Sequence, residues 1–374
     1  MSDLAIERAE VFVVGPQTER YTWAEGMSEQ FMTNTVLRLT TRGGLEGVAG
    51  AAMCSSHDFD RSVAETLRWL LPDVIGRSPL ERERLWHLLR SLNTPLVPQA
   101  HSLIDIALWD LAAKAAGMPL WQMLGGARDR VPAYASTPLL ADAEAYVDYV
   151  AERAVEGFRA VKFHCWCEPA RDLPMVEKVR QQIDPERMAL MLDVEQRYSR
   201  QQARAAAMRL EPLAMTWFEA PLLDGDLDGY AELRRVAAIP ILPAGNTILD
   251  LGQLRLGLAM GAWSMARVDV TIAGGITPVR KVMALAEAHN TSCELQCWGY
   301  TLTQAANLHM MQAYANCGWF EQPAPYPAFE YGVLDVIRPD AEGMVRVTDG
   351  PGLGVRVDWP AIEAATVARF AVAG

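Results

Sequence analysis

Apolar and polar positions along the chain fall into two regimes. In the first, residues 5–15 and 33–41 alternate in strand fashion and are rich in Val, Thr and Leu. Gly43 and Gly44 supply a turn before a third apolar run at 45–53. Neighbouring strands joined this tightly predict an antiparallel sheet. Apolar residues at helical spacing follow at 60–71 and 80–91, then a long amphipathic stretch at 100–116 that stops at Gly117. Together they predict an α+β domain over 1–126. From 131 the pattern changes to short apolar runs separated by helical segments. The runs are 131–135, 160–164, 189–193, 215–219, 239–244, 264–270, 292–296 and 318–321. The helices between them are 142–156, 171–183, 199–210, 227–236, 250–260, 276–287 and 302–314. Eight strands at this interval, with helices between them, predict parallel βα units closed into a TIM-type barrel over 127–330. An open doubly wound sheet is the competing arrangement, but no Gly-rich fingerprint follows the first run. The segment 331–374 holds turn residues and is expected to pack back on the first domain.

Composition narrows the function classes. The chain has 374 residues, 51% of them hydrophobic, and a formal net charge of −12. So acidic a surface repels nucleic acid and anionic membranes, though not a small anion that meets local cations. No apolar run is long enough to span a membrane, and the first residues lack a signal-peptide pattern. A soluble cytoplasmic protein is expected. Six cysteines include a Cys-x-Cys at 165–167 and a Cys-x₃-Cys at 293–297. Neither has the spacing of a thiolate zinc site, so free buried thiols are expected.

The ends of the apolar runs carry the candidate chemistry, because TIM barrels place active sites at the C-terminal ends of their strands. The second run ends in Lys162 and His164, the third in Asp193, the fourth in Glu219. The fifth runs into Asn246, the sixth carries Asp269 and the eighth ends in Glu321. A carboxylate inside a barrel must be neutralised, paired or bound to a metal. Asp193, Glu219 and Asn246 lie on successive strand ends, and an all-oxygen set suits one Mg²⁺. The competing arrangement pairs each acid with an Arg or Lys from a neighbouring strand. Lys162 and His164 are two residues apart and share a strand face. A Lys beside a dication can serve as a base or bind an anionic oxygen. Imidazole is the side chain suited to proton transfer near neutrality.

These motifs resemble the mandelate racemase/muconate lactonizing branch of the enolase superfamily. The resemblance rests on SLIDIALWDLAAKAAGMPLWQMLGG (102–126), AVKFH, LMLDVE, TWFEAP, LPAGN, RVDVTIAGGIT, LQCWGYTLTQAANLHM and GWFEQP, in that order along nearly the whole chain. It implies a modified (β/α)₇β barrel under an N-terminal capping domain. It also implies Mg²⁺-assisted abstraction of the proton α to a carboxylate, giving an enediolate. Glu321 would then hydrogen-bond the substrate carboxylate, which requires a protonated carboxyl with a raised pKa.

The chain departs from that pattern in three places. His164 stands where a second Lys is usual, Asn246 where a third acid is usual, and Gln296 where a seventh-strand His usually pairs with Asp269. Inversion by two bases needs a group on each face of the carbanion, whereas elimination needs one base and one acid. Dehydration of a sugar acid is therefore the expected reaction. Racemisation, epimerisation, cycloisomerisation and a carboxylate-binding barrel without catalysis are the alternatives. Glu195, Glu294 or Tyr300 could replace the missing His, and Glu195, on the face of Asp193, could be an extra ligand. Trp23, Glu195, Gln296, Trp298 and Tyr300 are the expected substrate contacts, with specificity in loops around 21–31 and 49–57. Family members are commonly homo-oligomers, which this chain is expected to share.

Overall fold

The computed structural model describes residues 2–27, 33–52, 57–92, 97–248 and 250–374, with the side chains of 2, 52 and 57–60 left aside. The parts of the two predicted specificity loops at 28–31 and 53–56 lie outside the described residues.

The first domain is an antiparallel sheet of β1 (Ile6–Val14), β2 (Asn34–Thr41) and β3 (Glu46–Ala52), backed by α1 (His57–Leu70), α2 (Arg82–Ser91) and α3 (Pro98–Ala115). The short helix α4 (Leu120–Met123) leads to the barrel. Its strands are β4 (Val131–Ser136), β5 (Ala160–His164), β6 (Ala189–Asp193), β7 (Met215–Glu219), β8 (Ile241–Leu242), β9 (Ala266–Val268), β10 (Cys293–Leu295) and β11 (Phe320–Pro323). The connecting helices are α5 (Ala143–Val155), α6 (Pro169–Gln182), α7 (Arg200–Leu210), α8 (Leu227–Val236), α9 (Leu251–Met260), α10 (Ile276–Ala288) and α11 (Thr301–Ala313). This is a (β/α)₇β order, and β11 returns to pair in parallel with β4. The chain ends with β12 (Met344–Val345), α12 (Trp359–Ala364) and β13 (Thr366–Ala373). β13 pairs antiparallel with β1, and β12 with β4.

Two apolar clusters explain why the strands close into a ring. Val161, Phe163, Leu190, Leu192 and Phe218 pack outward with the helices. Tyr134, Ala160, Met191, Trp217 and Leu242 fill the barrel interior below the strand ends. The period of two along each strand sends alternate residues to these two cores, so strands buried on both faces read as continuous apolar runs. β8 is shorter than the run at 239–244 suggests. Pro240 and Pro243 bracket it, and neither offers an N–H to a ladder.

Helix α3, buried along most of its length, joins the domains. Asp105 accepts hydrogen bonds from Thr277 N (2.8 Å) and Thr277 Oγ1 (2.6 Å) at the start of α10. A carboxylate there satisfies donors that a helix N-terminus leaves open. Asp110 accepts from Val48 N (2.8 Å) and Leu353 N (2.7 Å), tying β3 and the C-terminal segment to α3. Gly47 lets β3 approach this helix, since a Cβ there would stand 2.5 Å from Ala107 O. Among the described residues, no helix is long and apolar enough to cross a membrane. The five described cysteines are free and buried.

Candidate active site

The register of the parallel strands puts the chemistry on one level. His164 pairs with Asp193, and Asp193 with Glu219, at the C-terminal ends of β5, β6 and β7. The residues two steps earlier, Lys162, Met191 and Trp217, share the level beneath.

His164 is fixed from several sides. Its N–H donates to Thr137 Oγ1 (2.9 Å), and its carbonyl accepts from Tyr146 Oη (2.6 Å). Its Nδ1 lies 2.6 Å from the Thr137 carbonyl, which can only accept. Nδ1 therefore carries the hydrogen, and in the neutral ring Nε2 presents a lone pair. Nε2 faces Asp193 Oδ2 at 3.5 Å and Glu195 Oε1 at 3.7 Å.

The other side of the site is closed by internal cations. Lys162 Nζ lies 2.7 Å from Glu321 Oε1, 3.1 Å from Glu219 Oε1 and 3.3 Å from Asp193 Oδ2. Arg267 Nη2 lies 2.9 Å from Glu219 Oε1 and 3.0 Å from Glu321 Oε2. Trp217 Nε1 donates to Glu219 Oε2 (2.9 Å), and Ser136 Oγ to Glu321 Oε1 (3.0 Å). Burial disfavours the ammonium of Lys162, but Glu219 and Glu321 outweigh it and raise its pKa. At Glu321 burial raises the pKa, but Lys162 and Arg267 outweigh burial and bring it down to about 2.

Asn246 is exposed in the loop after β8. Asp224 pins that loop by accepting from Gly245 N (3.2 Å) and Thr247 N (3.0 Å). Gly245 has φ +78°, and a Cβ there would stand 2.8 Å from Arg267 O, so only glycine fits this tight turn. Asp269 has found other partners in place of an imidazole. Its Oδ1 accepts from Thr271 N (2.7 Å), Thr271 Oγ1 (2.9 Å) and Asn307 Nδ2 (2.9 Å), and burial pushes its pKa up to about 6. Glu294 is held by Gly318 N (2.8 Å) and Trp319 N (3.0 Å), which removes it as a substitute base.

Aromatic walls stand around the histidine. Trp298 meets the His164 ring edge-on at 5.1 Å, and Trp23, from the capping domain, lies 5.6 Å from Trp298 and 6.1 Å from His164. Tyr300 is buried and packs on Phe329, as Trp298 also does. Trp298 Nε1 and Gln296 Oε1 are buried atoms without a hydrogen-bond partner among the described residues. Arg267, Thr137 and Ser136 are the residues that the sequence reading missed. Arg267 had a signal, since it stands two positions before Asp269 inside an apolar run.

The donor set was compared with the needs of a divalent cation. Ligand atoms of His164, Asp193 and Glu195 lie within 4.8 Å of one another, close enough to share one ion. Two carboxylates beside an imidazole fit a divalent metal. Burial, together with Asp193, pushes the Glu195 carboxyl well above the usual range.

The comparisons with known proteins agree with this architecture. Residues 8–125 match the mandelate racemase/muconate lactonizing enzyme N-terminal domain, and 145–361 the enolase C-terminal domain-like family. D-galactarolactone cycloisomerase of Agrobacterium fabrum is 30% identical over 310 residues, covering 77% of this chain and 81% of that protein. A crystal structure from Pseudovibrio sp., assigned to the mandelate racemase/muconate lactonizing enzymes, superposes with a TM-score of 0.96 at 38% identity over 100% of both chains. D-glucarate dehydratase from Agrobacterium tumefaciens, complexed with magnesium, gives 0.84 at 29% identity, covering 98% of this chain and 100% of that one.

Proposed function

Because the chain belongs to the mandelate racemase/muconate lactonizing branch of the enolase superfamily, a group of metal-dependent enzymes, we propose that it is a Mg²⁺-dependent lyase acting on a small sugar acid. It removes the proton α to the carboxylate and expels the β-hydroxyl as water. We take it to act in the cytoplasm as a homo-oligomer, and its free buried thiols suit a reducing compartment.

The observation that carries the reading is the single oriented imidazole. His164 Nε2, with its lone pair set by the Nδ1–Thr137 contact, opens between Trp23 and Trp298 at the barrel mouth. It takes the α proton and, as imidazolium, can return it to the departing hydroxyl. A divalent cation at Asp193 would supply the positive charge that makes a second negative charge on the substrate carboxylate affordable. Lys162 and Arg267 hold the neighbouring acids ionised and in place, and Trp23 and Trp298 exclude water from the reacting face. The seventh-strand position offers Gln296, which cannot deliver a proton to the opposite face as an acid-base group. That favours elimination over two-base inversion.

A cycloisomerase reading also needs one base, and the 30% identity to a galactarolactone cycloisomerase favours it as the second reading. Incubation with Mg²⁺ in D₂O and a panel of sugar acids and their lactones, followed by NMR, tests both. Deuterium at the α position with a 2-keto-3-deoxy product supports the lyase, and ring opening or closure supports the cycloisomerase. Binding without exchange across the panel would overturn both.

A further inference from the structure

Folded proteins leave few buried polar atoms without partners, so those that remain at a reaction site point to what it binds. Two stand close together in sequence at this barrel mouth, Gln296 Oε1 and Trp298 Nε1. One is an acceptor and the other a donor. Thr271 and Asn307, beside the end of β9, give their donors to Asp269 instead.

The segment that carries them is fixed along its length. Glu294 faces inward on β10, and the period of two returns Gln296 to the same face one level higher. Gln296 N extends the β9–β10 ladder by donating to Val268 O at 3.0 Å. Cys297 N faces Glu321 Oε2 at 3.4 Å, which places the segment against the site. The Trp298 ring is held edge-on by His164, Trp23 and Phe329, with centroids 5.1–5.6 Å apart. Gln304 Nε2 then ties down Gly299 O at 2.7 Å. The indole therefore cannot swing its N–H toward a protein acceptor without losing this packing. β11 and β4 stand between β10 and β5 in the ring, so Gln296 reaches the mouth from a different side than His164.

An aromatic wall taken alone suits an apolar acid. Such a ligand would leave the Gln296 oxygen and the Trp298 N–H both desolvated and unpaired, and a site with unpaired polar groups rejects ligands that lack the matching group. A hydroxyl both donates and accepts, so it answers either atom. We propose that Gln296 and Trp298 are the specificity-determining pair of this enzyme, binding hydroxyl oxygens on the side of the substrate chain that faces β10 and so selecting polyhydroxy acids over deoxy and aromatic ones. The inference rests on the sugar-acid reading given above and sharpens it. It gives the seventh-strand position a binding role, which suits a carboxamide that has no acid-base function.

Titration of the full chain with Mg²⁺ present tests this by calorimetry and by NMR of the indole N–H groups, the Trp298 signal being the one missing in W298F. The probes are galactarate, glucarate and galactonate, set against adipate, which has the carbon chain of galactarate without its hydroxyls, and phenylacetate. At least one hydroxy acid should shift the Trp298 signal to saturation, and adipate and phenylacetate should bind about tenfold more weakly or worse. Q296L should weaken the hydroxy acid by about tenfold or more and leave adipate nearly unchanged, which also shows that the variant folds. W298F should narrow the preference in the same direction. Adipate or phenylacetate binding as tightly as the best hydroxy acid would overturn the assignment. So would a wild-type preference retained in Q296L, or a Trp298 signal that no hydroxy acid moves. α-Proton exchange by the wild type is read separately. Exchange with the preference intact in Q296L would sink this assignment and leave the functional reading standing. A preference lost in Q296L, without exchange by the wild type, would do the reverse.

Discussion

Two corners of one barrel mouth treat their carboxylates in opposite ways. At the corner of β7, β9 and β11, Glu219 and Glu321 are locked by Lys162 and Arg267 at 2.7–3.1 Å. At the corner of β5 and β6, Asp193 and Glu195 face the lone pair of His164 at 3.5 and 3.7 Å. The first corner is complete as folded protein. The second is looser: Lys162 reaches Asp193 at 3.3 Å, and no side-chain donor bonds Glu195 among the described residues. The role of an acid at a strand end is therefore weighed only once its partners are counted.

The contrast can be broken most forcefully at Arg267. R267M removes the buried guanidinium and leaves Glu219 and Glu321 sharing Lys162. Loss of one partner from a buried ion pair costs about 3–5 kcal/mol, to be read as a lower urea midpoint in metal-free protein. An unchanged midpoint would mean that the closed corner is not structural. The open corner should respond in activity instead. H164Q should cut α-proton exchange by about 10²- to 10⁴-fold with an unchanged circular dichroism spectrum, the range for a lost general base. Exchange at the wild-type rate would remove His164 from the chemistry.

A pH scan sharpens the comparison once a buried imidazole outside both corners is accounted for. His309 on α11 accepts from Trp121 N at 3.0 Å, and burial lowers its pKa from 6.5 to about 4. A histidine depressed in the folded state binds fewer protons there than when unfolded. Its contribution is present above pH 6.5 and is lost as the pH falls toward 4, by about 3 kcal/mol in all. Unfolding curves of wild type and H309Q between pH 7 and 4 should differ in slope by that contribution, and parallel curves would contradict it. The smallest effect is expected at the aromatic wall. W298F keeps the ring packing but removes the unpartnered Nε1–H. If that donor meets substrate, kcat/KM should fall about two- to tenfold, the worth of one hydrogen bond. No change would restrict Trp298 to packing.

Much of the fold was legible in the pattern of residues. The α3 stretch, the eight barrel strands and their helices follow the predicted spans within a few residues. Strand ends frayed where proline intervened, as at β8. The site was legible in part. Lys162, His164, Asp193, Glu219 and Glu321 do converge, since period-two alternation and parallel register bring successive strand ends together. Arg267 went unread because a lone Arg in an apolar run has no local partner to announce its role. The placement of Asn246 was not legible, because the turn at Gly245, and not the strand, decides where it goes.

What the sequence determined by itself was the order of the units, the family and the set of acids at the strand ends. Those features depend on periodicity and on residue type, which are local. Tertiary structure alone decided which acid is neutralised and which is left open. That outcome depends on a guanidinium from β9 reaching acids on β7 and β11, and on a turn that keeps Glu195 near Asp193 and His164. Electrostatic pairing is set by distances of a few ångströms between residues far apart in the chain, and no local pattern encodes them.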